Sequence, residues 1–447
     1  MRRRALALPA ILISYSLIYI LIWNKSSEKW LRTFPSFQAF NNPKRISELF
    51  WSSGEEIREN LLSSTVVSKP SLYLSSTTNR NRKGSSEYRR TSSPSELKRQ
   101  INITPIPIIY KENFTKLPKW DFEDVYVQSS EARRPVCSAS LQNSKDEKFQ
   151  KAAMWNIQLW FHNGHLDVRE WNRLAHFNNP FGFMEYNYTV IKKAVDLIPK
   201  PIYNQLLPVP SNSADGCIRC AVVGTGGILN GSRMGKEIDS HDYIFRVNGA
   251  VTKGFEEDVG NKTSVYVHTS FSLSQAIFNL EDYGFQHIPQ DEGIKYVMIP
   301  EGLRDFEWLD GLLQNETMTY GSYNGYAPLT FYSDRLQKDT FYVLHPDFLR
   351  YVRNRFLPSE RLEQPYWAIY RPTNGAFTLF LALHTCDIVD VYGFITEDYS
   401  KYSNYYFERT TKTNVIFYLN HDYELEIKTW KKLHNAGIIN LYQRQEQ

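Results

Sequence analysis

The sequence predicts an α/β fold built around one mostly parallel sheet. Short apolar runs of four or five residues recur from residue 220 onward, and helical patterns separate several of them. This alternation is typical of parallel strands that are joined by helical crossovers. Two of the runs are followed or preceded by glycine-containing turns, and ligands of parallel sheets bind beyond the carboxyl ends of the strands. We therefore expect a binding crevice at that edge of the sheet.

The elements are predicted from the period of their apolar residues, with a run of consecutive apolar residues for each buried strand and a spacing of three or four for each helix. Strands are predicted at residues 220–223, 243–247, 264–268, 295–299, 341–344, 388–392 and 415–419. Helices are predicted at residues 151–161, 234–241, 376–384 and 423–436. Helices between short strands favour parallel pairing.

Residue types are unevenly distributed along the 447-residue chain. The first 100 residues contain no aspartate and are crowded with Ser, Thr, Asn, Arg and Lys, whereas aromatic and aliphatic residues dominate from about residue 135. This contrast predicts a single catalytic domain over residues 135–447, large enough for a full core, behind a polar lead-in. The net charge of +4 is small and its basic residues concentrate in the lead-in. We expect a solvated segment there, and no nucleic-acid binding.

The first residues have the pattern of a membrane anchor. Three arginines at positions 2–4 precede 19 uncharged residues, 5–23, and about 20 apolar residues cross a bilayer. We predict a cytoplasmic tail at 1–4, a transmembrane signal anchor at 5–23 and a lumenal remainder, because arginines stay on the cytoplasmic side. A cleaved signal peptide is the alternative. The apolar run is longer than usual for one, and the residues after it form a poor cleavage site.

Residues 24–134 are predicted to form a largely disordered lumenal stem. Pro, Ser and Thr are scattered through this segment, and regular hydrophobic periodicity is mostly missing. Six of the Asn-x-Ser/Thr sequons along the chain are taken to agree with a lumenal body. They begin at Asn102, Asn113, Asn187, Asn230, Asn261 and Asn315.

The chain contains four cysteines, Cys137, Cys217, Cys220 and Cys386. If all are oxidised they allow three pairings, and two disulfides are expected for a lumenal protein of this size. The Cys217-x-x-Cys220 spacing also suits a redox or zinc site. Zinc needs two further ligands of matching spacing, and the sequence has no second Cys-x-x-Cys. We therefore expect no metal at these residues.

Two glycine-containing turns lie between strand-like and helical runs, and a cysteine accompanies each. The first is Val223-Gly-Thr-Gly-Gly227, whose backbone amides are expected to approach a phosphate or ribose. The second is Pro372-Thr-Asn-Gly375, at the start of a long helical run. The first turn lacks the Gly-x-Gly-x-x-Gly spacing of dinucleotide sites, which disfavours a nicotinamide-dependent oxidoreductase. The pair has the pattern of a nucleotide-sugar site.

Four segments, in this order, resemble the sialyl motifs of animal sialyltransferases. Residues 220–270 are similar to the large motif, 372–394 to the small motif, 405–408 to the third motif, and His421 with Glu426 to the very small motif. The resemblance covers about residues 137–447 and implies a single Rossmann-like domain, the sialyltransferase variant of the GT-A type. The Cys137…Cys217-x-x-Cys220 spacing resembles the branch of the family that acts on O-linked GalNAc and related cores. The tail most resembles the polypeptide-GalNAc alpha-2,6-sialyltransferases, in Tyr406-Phe-Glu-Arg409, Asn420-His-Asp422 and Ala436-Gly-Ile438.

The resemblance implies which residues bind the donor, CMP-sialic acid. The donor positions of the family are occupied by Thr225, Asn248, Thr269, Thr373, Asn374 and Gly375. Tyr405 and Tyr406 stand where the family approaches the phosphate and the acceptor, with interior packing as the alternative for both. Thr225 and Asn374 depart from residues that are common in relatives. A threonine hydroxyl, unlike an amide, cannot span two acceptors.

The resemblance implies that His421 is the general base that takes the proton from the acceptor hydroxyl. A neutral imidazole suits this task near neutral pH. The residues after it have amphipathic helical spacing, so we expect His421 at a helix start, where the dipole disfavours the imidazolium. Glu426 lies roughly 140° further around such a helix. It is expected to support the site without touching the imidazole.

The resemblance also implies the cysteine pairing and the cofactor requirement. Cys220 with Cys386 is expected to bring the two donor-binding turns together, and Cys137 with Cys217 to tie the entrance of the domain to the sheet. The sequence contains no Asp-x-Asp pair of the kind that holds a divalent ion in many nucleotide-sugar transferases. Because the leaving group of CMP-sialic acid is a monophosphate, we expect a reaction without a metal or another cofactor.

The resemblance predicts a Golgi type II membrane enzyme that transfers sialic acid to the 6-hydroxyl of GalNAc linked to Ser or Thr of glycoproteins, with inversion at the anomeric carbon. The linkage and the acceptor rest on the resemblance alone. Galactosyl-GalNAc, sialylated or not, is the alternative acceptor. A non-catalytic type II glycan-binding membrane protein is the alternative of another class, although its usual disulfides or acidic calcium cluster are not evident. The sequence does not address the oligomeric state.

Overall fold

The computed structural model describes residues 103–444, except residues 132, 134, 333–335, 338 and 411. The predicted cytoplasmic tail and anchor, residues 1–23, and most of the predicted stem lie outside the described residues. In the part of the chain that is described, no helix is long and apolar enough to cross a membrane.

The described residues form a seven-stranded sheet in which every neighbouring pair of strands is parallel. The strands are β1 (Arg219–Val223), β2 (Tyr243–Val247), β3 (Val265–His268), β4 (Lys295–Met298), β5 (Phe341–Val343), β6 (Ile388–Tyr392) and β7 (Asn440–Leu441). They lie in the order β5-β4-β3-β2-β1-β6-β7. The predicted parallel sheet is confirmed, and the first six strands match the predicted ranges to within one residue at each end.

Burial explains why the strand sequences are apolar almost without interruption. β3 is buried at all four positions, and β1 and β2 are buried at four of five. A parallel sheet that is covered by helices on both faces has no side in contact with water, so polar alternation disappears. β7 has only two residues, which is too short to give a periodic signal, and the sequence does not predict it.

Ten α-helices accompany the sheet in the described residues. They are α1 (Glu147–Ala152), α2 (Val168–Leu174), α3 (Tyr188–Val195), α4 (Gly235–Asp239), α5 (Glu256–Val259), α6 (Ser270–Asn279), α7 (Leu303–Gln314), α8 (Pro346–Arg355), α9 (Asn374–Thr385) and α10 (Tyr423–Asn435). The helices predicted at 234–241, 376–384 and 423–436 correspond to α4, α9 and α10. α9 is buried from Ala376 to Thr385 and packs against the central strands. Its N-terminus therefore lies near the middle of the carboxyl edge of the sheet.

The strand predicted at 415–419 is wrong. These residues form a loop in front of α10, and the four side chains from Ile416 to Leu419 are 43% to 60% exposed. The prediction came from apolar composition, but a strand also needs a neighbour for its backbone hydrogen bonds. No described strand pairs with this loop.

The helix predicted at 151–161 is wrong over most of its length. It ends at Ala152, and the following residues run on to an antiparallel bridge between Trp160 and Leu344. This bridge continues the edge of the sheet just beyond β5, and Trp160 is buried there. Tertiary pairing thus overrides a local pattern that fits a helix.

The folded unit begins before residue 135, the predicted boundary between stem and catalytic domain. Residues 103–131 run across the domain, where Trp120 and Phe122 pack against the core and Tyr126 is part of it. The end of the predicted stem therefore belongs to the fold. Its few aromatic residues give no periodic signal, yet Phe114, Trp120, Phe122 and Tyr126 are anchored by tertiary packing.

Candidate active site

The turn after β1 is closed by contacts with the turn after β6. The amide of Gly224 donates to the carbonyl of Tyr392 at 2.8 Å, and the amide of Gly226 donates to the carbonyl of Gly393 at 2.9 Å. These bonds extend the pairing of β1 with β6 past the ends of both strands. Two of the amides that were predicted to approach a phosphate are therefore already occupied.

Packing requires the glycines of this closed turn. A Cβ on Gly226 would lie 2.6 Å from the carbonyl oxygen of Gly393, and a Cβ on Gly227 would lie 2.0 Å from that of Ser403. Both distances are far below van der Waals contact, and the obstacle in each case is backbone. Between Gly224 and Gly227, Thr225 is the one residue with a side chain, and it is partly exposed.

The turn before α9 is open. Thr373 caps the helix, because its hydroxyl oxygen accepts a hydrogen bond from the amide of Ala376 at 3.1 Å. None of the described residues accepts a bond from the amides of Asn374 and Gly375, the first two residues of the helix. A Cβ on Gly375 would meet nothing closer than 3.5 Å, an ordinary contact. Unpaired amides at a helix N-terminus bind anions, so this turn suits a phosphate.

Asn248 and Asn374 join the end of β2 to the open turn. The side-chain amide of Asn374 donates to Oδ1 of Asn248 at 2.9 Å. Asn248 has a left-handed backbone, with φ of 56°, and its carbonyl accepts a bond from the Tyr266 hydroxyl at 2.8 Å. Asparagine tolerates this conformation better than most residues. The structure thus brings together two predicted donor-binding residues that lie 126 positions apart.

Glu426 anchors the open turn through both of its carboxylate oxygens. The amide and the hydroxyl of Thr373 each donate to this carboxylate at 2.8 Å. Burial raises the pKa of the Glu426 carboxyl to about 7, although the two bonds from Thr373 act in the opposite direction. The supporting role that the sequence left undefined is therefore to hold Thr373.

His421 lies beside the open turn. Its Nδ1 donates to the carbonyl of Arg371 at 2.9 Å, which leaves Nε2 as the ring nitrogen that can accept a proton. Burial, and secondly the Arg371 guanidinium, lower the pKa of the imidazole to about 4, so it is neutral near pH 7. The helix begins only at Tyr423, with Asp422 as its N-cap, so the predicted position of His421 at a helix start is wrong. Burial and a nearby cation keep this imidazole neutral.

A cluster of ion pairs next to His421 is not predicted from the sequence. Arg304 and Arg371 both pair with the carboxylate of Glu301, Arg304 at 2.8 Å. Glu301 is 6% exposed and follows β4, which ends at Met298. Its place after a predicted strand is the one signal that the sequence offers, because ligands of parallel sheets bind at that edge.

Two residues predicted to bind the donor have interior roles. Thr269 is 1% exposed and caps α6, where its hydroxyl oxygen accepts a bond from the Ser272 amide at 2.9 Å. Tyr406 is also 1% exposed, and its hydroxyl donates to the carbonyl of Val251. Neither hydroxyl has surface for a ligand, so the structure does not support a donor contact for either residue. For Tyr406 it favours the packing alternative.

Tyr405 is placed differently from its neighbour. It forms an isolated bridge with Gly226, next to Thr225, and is partly exposed. Its ring stacks on that of Phe407 with 4.9 Å between the ring centroids. Burial raises the pKa of its hydroxyl, which therefore remains a donor at neutral pH. A ligand contact stays a prediction for Tyr405 and for Thr225.

Both implied disulfides, Cys137–Cys217 and Cys220–Cys386, are present. The second one does not lie beside the donor-binding turns as expected. Cys386 follows the C-terminal end of α9 whereas Thr373 precedes its N-terminal end, and 12 residues at about 1.5 Å each put these ends about 18 Å apart. The bond fastens α9 to the beginning of β1, and the rigid helix carries that constraint to the open turn.

A cavity of about 330 Å³ lies away from this crevice. Its walls include Trp155, Trp160, His384 and Thr385. His384 and Thr385 are the last residues of α9, which places the cavity near the amino ends of β1 and β6. It is therefore separate from the site at His421.

The sequence profile of Glycosyltransferase family 29 (sialyltransferase) matches residues 160–438. The chain is 47% identical to the alpha-N-acetylgalactosaminide alpha-2,6-sialyltransferase 1 of Mus musculus, over 74% of this chain and 64% of that protein. It is 44% identical to the Homo sapiens protein of the same name, over 78% of this chain and 61% of that protein. It is 40% identical to the alpha-N-acetylgalactosaminide alpha-2,6-sialyltransferase 2 of Mus musculus, over 73% of this chain and 88% of that protein.

The match thus spans about three fifths of the length of the type 1 relatives, 64% and 61% of the mouse and human proteins. A solved structure of a mammalian sialyltransferase has a similar fold, with a TM-score of 0.50 and 23% sequence identity. That likeness covers 70% of this chain and 100% of the other. The family profile covers more than half of the chain and includes the open turn, His421 and Glu301. The chain belongs to glycosyltransferase family 29, the sialyltransferases.

Proposed function

We propose that this chain is an inverting enzyme that transfers sialic acid from CMP-sialic acid to the 6-hydroxyl of GalNAc linked to Ser or Thr of glycoproteins. Relatives named as alpha-N-acetylgalactosaminide alpha-2,6-sialyltransferases support the linkage and the acceptor. The geometry supports the chemistry, because the 2.9 Å bond from His421 to Arg371 holds a neutral imidazole beside the open N-terminus of α9. The proposal depends on this juxtaposition of a base and an anion site.

The open turn is proposed to bind the phosphate of CMP-sialic acid. The amides of Asn374 and Gly375 and the positive end of the helix dipole favour an anion there. The side-chain amide of Asn248 and the hydroxyl of Thr225 offer donors and acceptors for the cytidine and its ribose. These groups lie on neighbouring elements at the carboxyl edge of the sheet.

The reaction is proposed to need no metal or other cofactor. CMP leaves as a monophosphate, which carries less charge than the diphosphate of most nucleotide sugars, so helix amides suffice to bind it. Among the residues that the structure describes, no group of three or more His, Cys, Asp or Glu is arranged to hold a metal ion. Activity in the presence of a chelator is the measurement that checks this expectation.

Nε2 of His421 is proposed as the general base. It takes the proton of the acceptor 6-hydroxyl as that oxygen attacks the anomeric carbon of sialic acid. The bond from this carbon to the phosphate oxygen breaks, its electron pair stays on the phosphate, and CMP leaves. Attack from the face opposite to the leaving group inverts the anomeric centre. A positioned base of this kind contributes about 10²–10⁴-fold in rate.

We also propose a Golgi location with a single-pass type II topology, in which residues 5–23 anchor the chain and the catalytic domain is lumenal. Two disulfides fit an oxidising lumen. The sequons at Asn113, Asn187 and Asn315 begin at exposed residues, as glycan acceptors require. Protease protection of the full chain in sealed microsomes tests this topology.

The activity is tested with the full chain, radiolabelled CMP-sialic acid and a GalNAc-peptide. Galactosyl-GalNAc-peptides, sialylated and unsialylated, are assayed alongside, and the products are analysed for linkage. We expect sialic acid on the 6-hydroxyl of GalNAc. Preference for a galactosyl-GalNAc acceptor would change the substrate but keep the enzyme class. No transfer by well-folded protein would favour a non-catalytic glycan-binding membrane protein.

A further inference from the structure

We propose that Glu301 is a positioning residue for His421 and that it acts through Arg371. The inference rests on the proposed function, because it takes His421 as the base. Glu301 lies outside the four segments that resemble sialyl motifs, so the resemblance assigns it no role. Its contacts carry the argument.

Glu301 is held in place independently of His421. Its carbonyl accepts a hydrogen bond from Nδ2 of Asn179 at 2.8 Å, and its carboxylate accepts one from Arg304 at 2.8 Å. The guanidinium of Arg304 lies 4.5 Å from the centre of the Phe271 ring. A carboxylate buried to this extent persists in the charged form only when cations pair with it. Glu301 is therefore a fixed anion.

Arg371 links this anion to the imidazole. Its guanidinium pairs with Glu301, and its carbonyl accepts the bond from Nδ1 of His421 at 2.9 Å. Its amide donates to the carbonyl of Asn420 at 3.0 Å. Because all three contacts belong to one residue, the ion pair fixes the direction of the carbonyl that orients the imidazole.

The charges around His421 come from three other parts of the chain. Arg371 precedes α9, Glu301 follows β4, and Arg361 lies in the connection between α8 and α9. Arg361 donates to the carbonyl of His421 at 2.6 Å. The ring of Tyr423, in α10, lies 5.8 Å from the imidazole between centroids. The two arginines lower the pKa of the imidazole, and Glu301 is the anion that raises it.

The charges around Glu301 come from Arg304 and Asp305 in α7 and from Arg371, which precedes α9. Arg304 and Arg371 lower the pKa of the Glu301 carboxyl, against burial, so that it is ionised. Asp305 is a second buried carboxyl near Glu301, and its Oδ1 accepts bonds from the amide and the hydroxyl of Ser270 at 2.8 and 2.7 Å. Burial raises the pKa of Asp305. Its charge also acts on Arg304, but the close ion pair of Arg304 is with Glu301, at 2.8 Å.

Glu301 and Arg371 act on the base with opposite signs. Proton transfer turns the imidazole of His421 into a cation, which the charge of Glu301 stabilises and that of Arg371 destabilises. Loss of the Glu301 charge therefore weakens the base and moves its protonation to lower pH. Loss of the Arg371 charge moves the protonation of His421 to higher pH.

The main test is Glu301→Gln in the full chain, with Glu123→Gln as the matched control. Glu301→Gln should lower kcat about 10- to 100-fold, the range produced when an outer partner that orients a metal-bound histidine is lost. KM for CMP-sialic acid should change little, and the acid limb of the kcat/KM profile should move to lower pH. Glu123 pairs with the buried Arg353 at 2.8 Å and is not among the residues of the site. The kcat of folded Glu123→Gln should therefore stay close to that of the wild type, even if its stability falls.

Arg371→Gln and an NMR titration of the His421 ring complete the experiment. Arg371→Gln should move the acid limb, and the ring titration, to higher pH, opposite to Glu301→Gln. If Glu301→Gln does not fold, the shift in Arg371→Gln still tests whether this ion pair acts on the imidazole of His421. The ring titration needs no turnover, so it tests the positioning role even if the wild-type chain transfers no sialic acid and the proposed function fails.

Two outcomes would overturn the role of Glu301. One is an unchanged acid limb and an unchanged ring titration in both folded variants. The other is an equal loss of kcat in Glu301→Gln and Glu123→Gln that follows their thermal stability. Opposite shifts in Glu301→Gln and Arg371→Gln, with the kcat of Glu123→Gln close to wild type, would establish it.

Discussion

The two glycine-containing turns look alike in the sequence and differ in the structure. In the turn after β1, the amides of Gly224 and Gly226 donate to backbone carbonyls, and a Cβ on Gly227 would lie 2.0 Å from a carbonyl oxygen. In the turn before α9, no described residue accepts a bond from the amides of Asn374 and Gly375. A Cβ on Gly375 would lie 3.5 Å from its nearest neighbour, the hydroxyl oxygen of Thr373. Packing requires glycine in the first turn, whereas in the second the missing side chain leaves space where we propose that the phosphate binds.

The difference assigns distinct tasks to the two halves of the crevice. The closed turn joins the ends of β1 and β6, and the Cys220–Cys386 disulfide joins the other end of β1 to α9. This disulfide joins cysteines 166 positions apart. Closing a loop of that length stabilises a fold by about 4–5 kcal/mol in the chain-entropy model. Rigid packing on one side thus holds the open turn, which offers free amides, in a fixed place on the other.

The largest expected effect comes from removing the imidazole beside the open turn. His421→Ala should lower kcat about 10²–10⁴-fold, because the acceptor hydroxyl loses its base. Binding of CMP should be retained, since His421 is not among the groups proposed to hold the nucleotide. Steady-state kinetics and calorimetric titration with CMP measure the two quantities.

The exposed His287, in a loop after α6, is the control. His287→Ala should leave both kcat and CMP binding unchanged. If His421→Ala transferred sialic acid at the wild-type rate, the open turn would still be an anion site but another group would have to be the base.

The next effect tests the closed turn. Gly227→Ala should destabilise the fold by about 3 kcal/mol or more, the upper part of the range for overpacking, because the new methyl group meets the backbone of Ser403. The free energy of unfolding, measured by urea denaturation of the reoxidised protein, checks this. A variant with wild-type stability would mean that the backbone can shift to accommodate the methyl group. In that case packing would not explain the glycines of the closed turn, and a role in ligand binding would be favoured.

Most of the fold was predictable because its signals are local and repeated. β1 to β6 are short apolar runs, and burial on both faces of a parallel sheet makes such runs continuous. The same rule misplaced a strand at 415–419, where apolar side chains from Ile416 to Leu419 are exposed. An apolar run shows that a segment suits a strand, but only the tertiary structure supplies a partner.

The site was predictable only in part, for a similar reason. His421, Asn248 and the turn at Thr373 could be found because each resembles a family motif. Glu301 could not, because its importance comes from its burial and from its pair with Arg371, which is distant from it in the sequence and reaches it only in the folded chain. Buried partners of this kind leave no periodic or motif signal in a single sequence.

A smaller effect is expected at the open turn itself. Gly375→Ala should leave the free energy of unfolding nearly unchanged, because the added Cβ meets only ordinary contacts. It should raise KM for CMP-sialic acid about tenfold, since the methyl group stands where the phosphate is proposed to approach. Gly375→Ala is thus expected to change mainly KM, whereas Gly227→Ala is expected to change mainly the free energy of unfolding. Loss of stability with unchanged KM would show that this turn, too, is a packing element.

The smallest effect concerns the carboxylate that anchors the open turn. Burial raises the pKa of Glu426 from its ordinary 4.5 to about 7 in the folded protein. A group with a raised pKa adds stability fully below pH 4.5 and loses that contribution as pH rises through about 7. Glu426→Gln should remove this part of the pH dependence, because the amide does not ionise.

At pH 7, Glu426→Gln should change kcat/KM about fivefold or less, since one bond to Thr373 is kept and the other weakens by about 1 kcal/mol. The exposed Glu424, on the same helix, is the control for the loss of a carboxyl group, and Glu424→Gln should keep the wild-type kcat/KM. If the slope of stability against pH were the same in Glu426→Gln as in the wild type, the Glu426 carboxyl would be ionised throughout this range. In that case a fully charged carboxylate holds the open turn, and its negative charge would repel the anion that we propose to bind at the amides of this turn.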